Sequence, residues 1–70
     1  MIIKVGRVRT LTDKGYGFID YDGKSLFFHS SGMASRGKFD DLREGDEVEF
    51  EIGWDDRSRK DRAENVLMLS

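Results

Sequence analysis

The sequence predicts an all-β fold of five short strands closed into a small barrel. Apolar and polar residues alternate with a period of two, most clearly in Val48-Glu-Phe-Glu-Ile-Gly-Trp54, and helical spacing is hard to find. Turn signals punctuate the chain at short intervals: Thr12-Asp-Lys-Gly15, Asp22-Gly23, Arg43-Glu-Gly45 and the charged run Asp55 to Asp61. A chain of 70 residues, 37% apolar, hides only about 60% of the surface its unfolded form exposes. That allows one core within a single domain spanning residues 1–70. Closure then removes the open edges that five short strands would otherwise present.

Each strand has its own warrant. Ile3 to Leu11 and Tyr16 to Tyr21 are rich in β-branched or aromatic residues, as are Ser25 to His29 and Ala63 to Leu69. Val48 to Trp54 carries the clearest alternation and reads as half-buried. The longer connection from Ser30 to Gly45 is expected to cross the barrel and to hold one helical turn. Asp22-Gly23 is the most informative turn. Between two strand patterns it favours a two-residue type I′ reversal, in which both residues take φ > 0. Paired residues then carry numbers summing to 45: Tyr16 faces His29, Phe18 faces Phe27 and Ile19 faces Leu26.

Side chains alternate across a strand, so the register assigns faces. Gly17, Ile19, Leu26 and Phe28 share one side and suit a crowded interior. Tyr16, Phe18, Phe27 and His29 share the other. A core reading would bury both faces of one hairpin, and a chain this small has nothing left to cover the second. The four π-bearing side chains are therefore expected in solvent, opposed in pairs at about 4.5–5.5 Å between Cβ atoms. An exposed aromatic cluster marks an interaction site. Gly15 and Gly17 alternate with the rings, leaving room beside them and letting the strand coil, although Gly15 also reads as a plain turn residue.

Composition narrows the chemistry. There is no cysteine, hence no disulfide, no thiol nucleophile and no thiolate metal site. One histidine and no Gly-x-x-x-x-Gly-Lys-Ser/Thr phosphate loop leave no nucleophile–base pair, so neither an enzyme nor a cofactor is expected. Glu47, Glu49 and Glu51 alternate on the outer face of the fourth strand, which suits solvation better than acid–base work. The N-terminus lacks a signal-like apolar run, and no segment approaches the roughly 18 apolar residues of a membrane span. The expectation is a cytoplasmic monomer with no membrane partner. Net charge is −2, but unevenly spread: residues 1–39 carry seven Lys/Arg and three Asp/Glu, residues 40–70 five and eleven. Such asymmetry hints at a charged partner, because binding responds to the local field.

Aromatics spaced along strands and interleaved with cations describe a surface for unstacked bases. Lys14 precedes the second strand, and Arg7 and Arg9 lie on the first, where they can meet phosphates. The rival reading is a small barrel that docks a peptide on the same strip.

Two segments resemble a known family. Lys14-Gly-Tyr-Gly-Phe-Ile19 resembles the first ribonucleoprotein motif of cold-shock domains, and Leu26-Phe-Phe-His-Ser-Ser31 the second. Gly6-Arg-Val8, Leu42 to Phe50 and Ala63-Glu-Asn-Val66 resemble the family's first, fourth and fifth strands. The resemblance implies a five-stranded antiparallel barrel of the oligonucleotide-binding (OB) fold that grips single-stranded RNA or DNA and acts as a nucleic-acid chaperone. By position it implies that Tyr16, Phe18 and Phe27 stack bases and that His29 stacks or hydrogen-bonds. It gives basic contacts to Arg9 and Lys14, and to Phe39 a place on the long loop capping one end of the strip. There are departures. Where the family has Lys-Trp-Phe in strand one, this chain has Arg9-Thr10-Leu11, and the turn to Lys14 is one residue shorter. Ser30 replaces a frequent aromatic, and Asp61 stands near a missing proline. With two rings fewer, the strip is expected to bind more weakly over a shorter footprint. Trp54 continues the Val48, Phe50, Ile52 parity and is expected at the end of strand four, away from the strip; the alternative is that it substitutes for the missing tryptophan.

Overall fold

The computed structural model describes residues 2–34 and 37–69. Strands β1 (Lys4–Leu11), β2 (Tyr16–Tyr21), β3 (Lys24–His29), β4 (Glu47–Asp55) and β5 (Lys60–Met68) close into a barrel in the order β1-β2-β3-β5-β4. Four seams are antiparallel; the barrel closes through a parallel contact between β3 and β5, at Phe27 and Arg62. This is an OB-type barrel. Strand β5 begins earlier than the expected Ala63, because Lys60 and Asp61 continue the ladder opposite Asp55 and Trp54. The charged run thus shrinks to a short hairpin turn.

The β2–β3 hairpin follows the expected register, from Tyr16 opposite His29 to Tyr21 opposite Lys24. Asp22 and Gly23 hold φ of 51° and 74°, the left-handed pair that a type I′ reversal needs. Gly17 meets a tighter constraint. A Cβ there would lie 2.5 Å from the Thr10 carbonyl oxygen and 3.0 Å from the Phe28 ring, so only glycine lets β1, β2 and the core ring approach this closely. Gly15, at φ 87°, is a turn residue.

Two bulges bend the sheet. In β1 the register slips between Val8 and Thr10, leaving Arg9 as the extra residue. In β5 it slips opposite Phe50, where Asn65 takes φ 52°. Each bulge turns residues three apart toward the same interior: Val8 with Leu11, and Ala63 with Val66. The buried core is Val8, Ile19, Leu26, Phe28, Leu42, Val48, Phe50, Ala63 and Val66. Leu42 comes from the β3–β4 connection, which passes β5 to reach β4 and holds, among the described residues, two single 3₁₀ turns, Ser30–Gly32 and Phe39–Asp41, where one turn was expected.

Strand β4 departs from its sequence reading. Val48 and Phe50 are buried, yet Ile52 and Trp54, on the same alternation, are 40% and 57% exposed. Alternation sets the side of the sheet but not where the core ends, and β4 outruns the barrel. Phe28→Ala is expected to cost about 3–5 kcal/mol in urea unfolding, as for a buried ring with no room to collapse. Gly17→Ala, which adds one methyl against backbone, is expected to cost about 1–3 kcal/mol in the same assay.

Candidate nucleic-acid interface

The outer face of β2 and β3 carries a compact triangle of rings. Tyr16 and Phe27 lie 5.7 Å apart between centroids with planes tilted by 33°. Phe18 stands nearly edge-on to both, at 6.2 Å from Tyr16 and 6.0 Å from Phe27. Such edge-to-face pairs hold aromatic orientations without sealing the ring faces. All three are half-buried, whereas their alternating neighbours Gly17, Ile19, Leu26 and Phe28 are buried. The hairpin therefore separates its rings as the register requires.

His29 extends the cluster opposite Tyr16 and is exposed. The Ser31 N–H donates to its Nδ1 (3.1 Å), and the Ser31 hydroxyl lies 2.9 Å from the same nitrogen. Nδ1 is thus an acceptor, which leaves the proton of the neutral ring on Nε2. The imidazole is held by its own 3₁₀ turn with a donor free to point outward.

The predicted cations are arranged unevenly. Lys14 is exposed in the turn that leads into Tyr16. Arg9, turned out by its bulge, faces Asp20 at 3.5 Å with both side chains mostly in solvent, so the pair is weak. Arg7 donates to the Gly45 carbonyl at 2.8 Å and lies 3.9 Å from Glu47, which draws it toward the β4 edge.

Phe39 is not brought into the strip. Its ring packs on Phe28, with centroids 5.7 Å apart, and it is half-buried against the core. The 3₁₀ turn at Phe39–Asp41 directs it inward alongside Leu42. Conversely, Arg62 belongs beside the rings and was missed. The parallel β3–β5 contact sets it next to Phe27, and Glu64 holds its guanidinium by hydrogen bond and ion pair, both 2.8 Å. The signal available was slight, because a parallel pairing across a long connection leaves no mark in local alternation. Thr10 pairs with Phe18, so the position of the family's strand-one tryptophan is at the strip's edge and carries no ring here.

A closed OB-type barrel with an aromatic outer hairpin face defines a class of oligonucleotide-binding proteins. The chain belongs to the cold-shock domain family: residues 4–69 match the model described as the "Cold-shock" DNA-binding domain. Members of this family bind single-stranded nucleic acids. The chain is 41% identical over 59 residues to cold shock-like protein CspE of Bacillus anthracis, covering 83% of this chain and 84% of that protein. It is 43% identical over 58 residues to cold shock protein CspB of Geobacillus stearothermophilus, covering 81% and 83%. Against cold shock protein CspA of Staphylococcus saprophyticus it is 38% identical over 69 residues, covering 96% of this chain and all of that one. No helix among the described residues is long and apolar enough to cross a membrane.

The histidine assignment is open to nitrogen NMR. In the neutral ring the Nε2–H tautomer is expected to dominate, and Ser31→Ala is expected to bring in the other tautomer by weakening the hold on Nδ1. A titration is expected in the hairpin beside the strip. The Ser58 hydroxyl (3.0 Å) and the Arg57 N–H (3.1 Å) donate to Asp55 and hold its carboxyl below the ordinary 3.8. A carboxyl lowered on folding stabilises the hairpin above its unfolded value, and that stabilisation fades as pH falls through the folded one. Arg57 and Ser58 amide shifts are accordingly expected to titrate together, below the range of free aspartate.

Proposed function

We propose that this protein binds single-stranded RNA or DNA on the outer face of β2 and β3, as a nucleic-acid chaperone of low sequence specificity acting as a monomer. Tyr16, Phe18 and Phe27 stack unpaired bases, and His29 adds a stacking surface and an Nε2–H donor. Lys14, Arg9 and Arg62 meet the phosphates. One observation carries this reading: three half-buried rings in mutual contact on the solvent face of a cold-shock barrel. Ring faces left open to water on a small protein are an interaction surface, and a π-face accepts any base. Phe39, turned onto Phe28, is left out of the binding set.

Magnitudes bound the affinity. Stacking is worth about 1–3 kcal/mol per base, so three rings supply about 3–9 kcal/mol before ordering costs. A micromolar complex needs about 8 kcal/mol. Phosphate contacts therefore decide whether binding is useful, and salt is expected to weaken it strongly. Chaperone behaviour follows by mass action: a ligand that holds only the unpaired form shifts weak hairpins toward it.

The test is binding of short unstructured oligonucleotides by wild type and Phe27→Ala at two salt concentrations. Phe27→Ala is expected to weaken binding by about 5- to 150-fold with the unfolding midpoint little changed. The logarithm of affinity is expected to fall with the logarithm of salt at about −0.7 per phosphate contacted. Binding that ignores salt would point instead to an apolar peptide groove and end this reading.

A further inference from the structure

Trp54 is 57% exposed, a large ring left in water by a protein with little apolar material to spare. It sits opposite Asp61, on the inward-facing alternation of β4 but past the end of the core. A surface hollow beside it is bounded by Lys24, Leu26, Arg59 and Lys60. A second hollow runs from Phe18 and Phe27 to Ser58. The two share Ser25, Lys60 and Asp61 as a common rim. The surface is therefore continuous from the ring triangle, over the rim, to the tryptophan.

Charge around the tryptophan favours an anionic chain. Lys24, Arg59 and Lys60 are exposed, and none is in an ion pair among the described residues. The hollow at Phe18 and Phe27 carries two carboxylates, Asp61 on the rim and Asp55, held by Ser58 and Arg57, and Asp56 is exposed in the turn beyond; the hollow at Trp54 has three cations against Asp61 alone. The hairpin that presents these groups is tied back by the Arg59 N–H donating to the Asp55 carbonyl at 2.8 Å. An exposed indole flanked by uncommitted cations, and joined to a row of stacking rings, has the composition of one more base site.

We propose that Trp54 is an additional stacking subsite for the strand that lies on the β2–β3 face, taking a base beyond Phe18 and Phe27, with Lys24, Arg59 and Lys60 holding the phosphates on the way. The inference rests on the strip being the binding face. It lengthens the footprint on the β3 and β5 side of Phe27, across the rings from Thr10.

Length dependence separates the two claims. Oligothymidines of about four and about eight nucleotides, within the range one OB-type barrel holds, are titrated against wild type, Trp54→Ala, Trp54→Phe and Phe27→Ala. Wild type is expected to bind the longer strand more tightly, with Trp54 emission quenched by the longer strand more than by the shorter. Trp54→Ala is expected to match wild type on the shorter strand and to lose about 5- to 150-fold on the longer. Trp54→Phe, which keeps a ring and guards against a folding defect, is expected to retain most of the gain. If Trp54→Ala equals wild type on both strands while Phe27→Ala is weak on both, the Trp54 subsite is wrong and the strip stands. If wild type binds neither strand, both readings fall.

Discussion

Asp22 and Gly23 both hold positive φ, and the reversal they make leaves β2 and β3 one register. A slip of one residue would exchange the faces of the whole hairpin, sending Phe18 and Phe27 inward and Ile19 and Phe28 into water. The interior resists that exchange. Gly17 has space only for a hydrogen where the Phe28 ring and the Thr10 carbonyl approach it, and Ile19 and Phe28 are wholly buried. Turn geometry and core packing thus demand the same register. The candidate interface is what remains on the other side once both are satisfied.

Closure depends on devices that do not alternate. The bulge at Arg9 and the left-handed Asn65 each break the period of two, letting β1 and β5 coil while still sending paired apolar residues inward. The bulge at Arg9 also throws that side chain outward, beside Asp20. Closing the sheet through a parallel β3–β5 contact brings Arg62 against Phe27. One topological requirement, a sheet without free edges, so supplies a cation to the face that one hairpin furnishes with rings.

Charge is distributed to match. The acidic strand β4, with Glu47, Glu49 and Glu51, bonds to β1 and β5 and to neither strand of the ring cluster. Net negative charge and an anionic ligand are compatible when the carboxylates lie away from the binding face, since screening confines exposed charges to about a Debye length. The compromises lie where carboxylates do reach that face: Asp55 and Asp61 border the hollow at Phe18 and Phe27, and Glu64 engages Arg62 beside Phe27. That pair is partly exposed, so a phosphate competes for the guanidinium at modest cost.

Local chemistry made much of this molecule legible. Five strands, the Asp22-Gly23 reversal, the hairpin register and the division of its residues between core and solvent all follow from propensities and spacings within a few residues of one another. So does the absence of a ring at Thr10. Other features answer to distance along the chain. Phe39 turns onto Phe28, and Arg62 meets Phe27, only because remote segments pack together. Ile52 and Trp54 stand in water because β4 runs past the barrel, and an alternation pattern carries no information about where the opposing wall stops. Local alternation is enough to assign each residue of an unbroken ladder to one side of its strand. What lies across from it is settled in three dimensions, by closure and bulges that a period of two does not record.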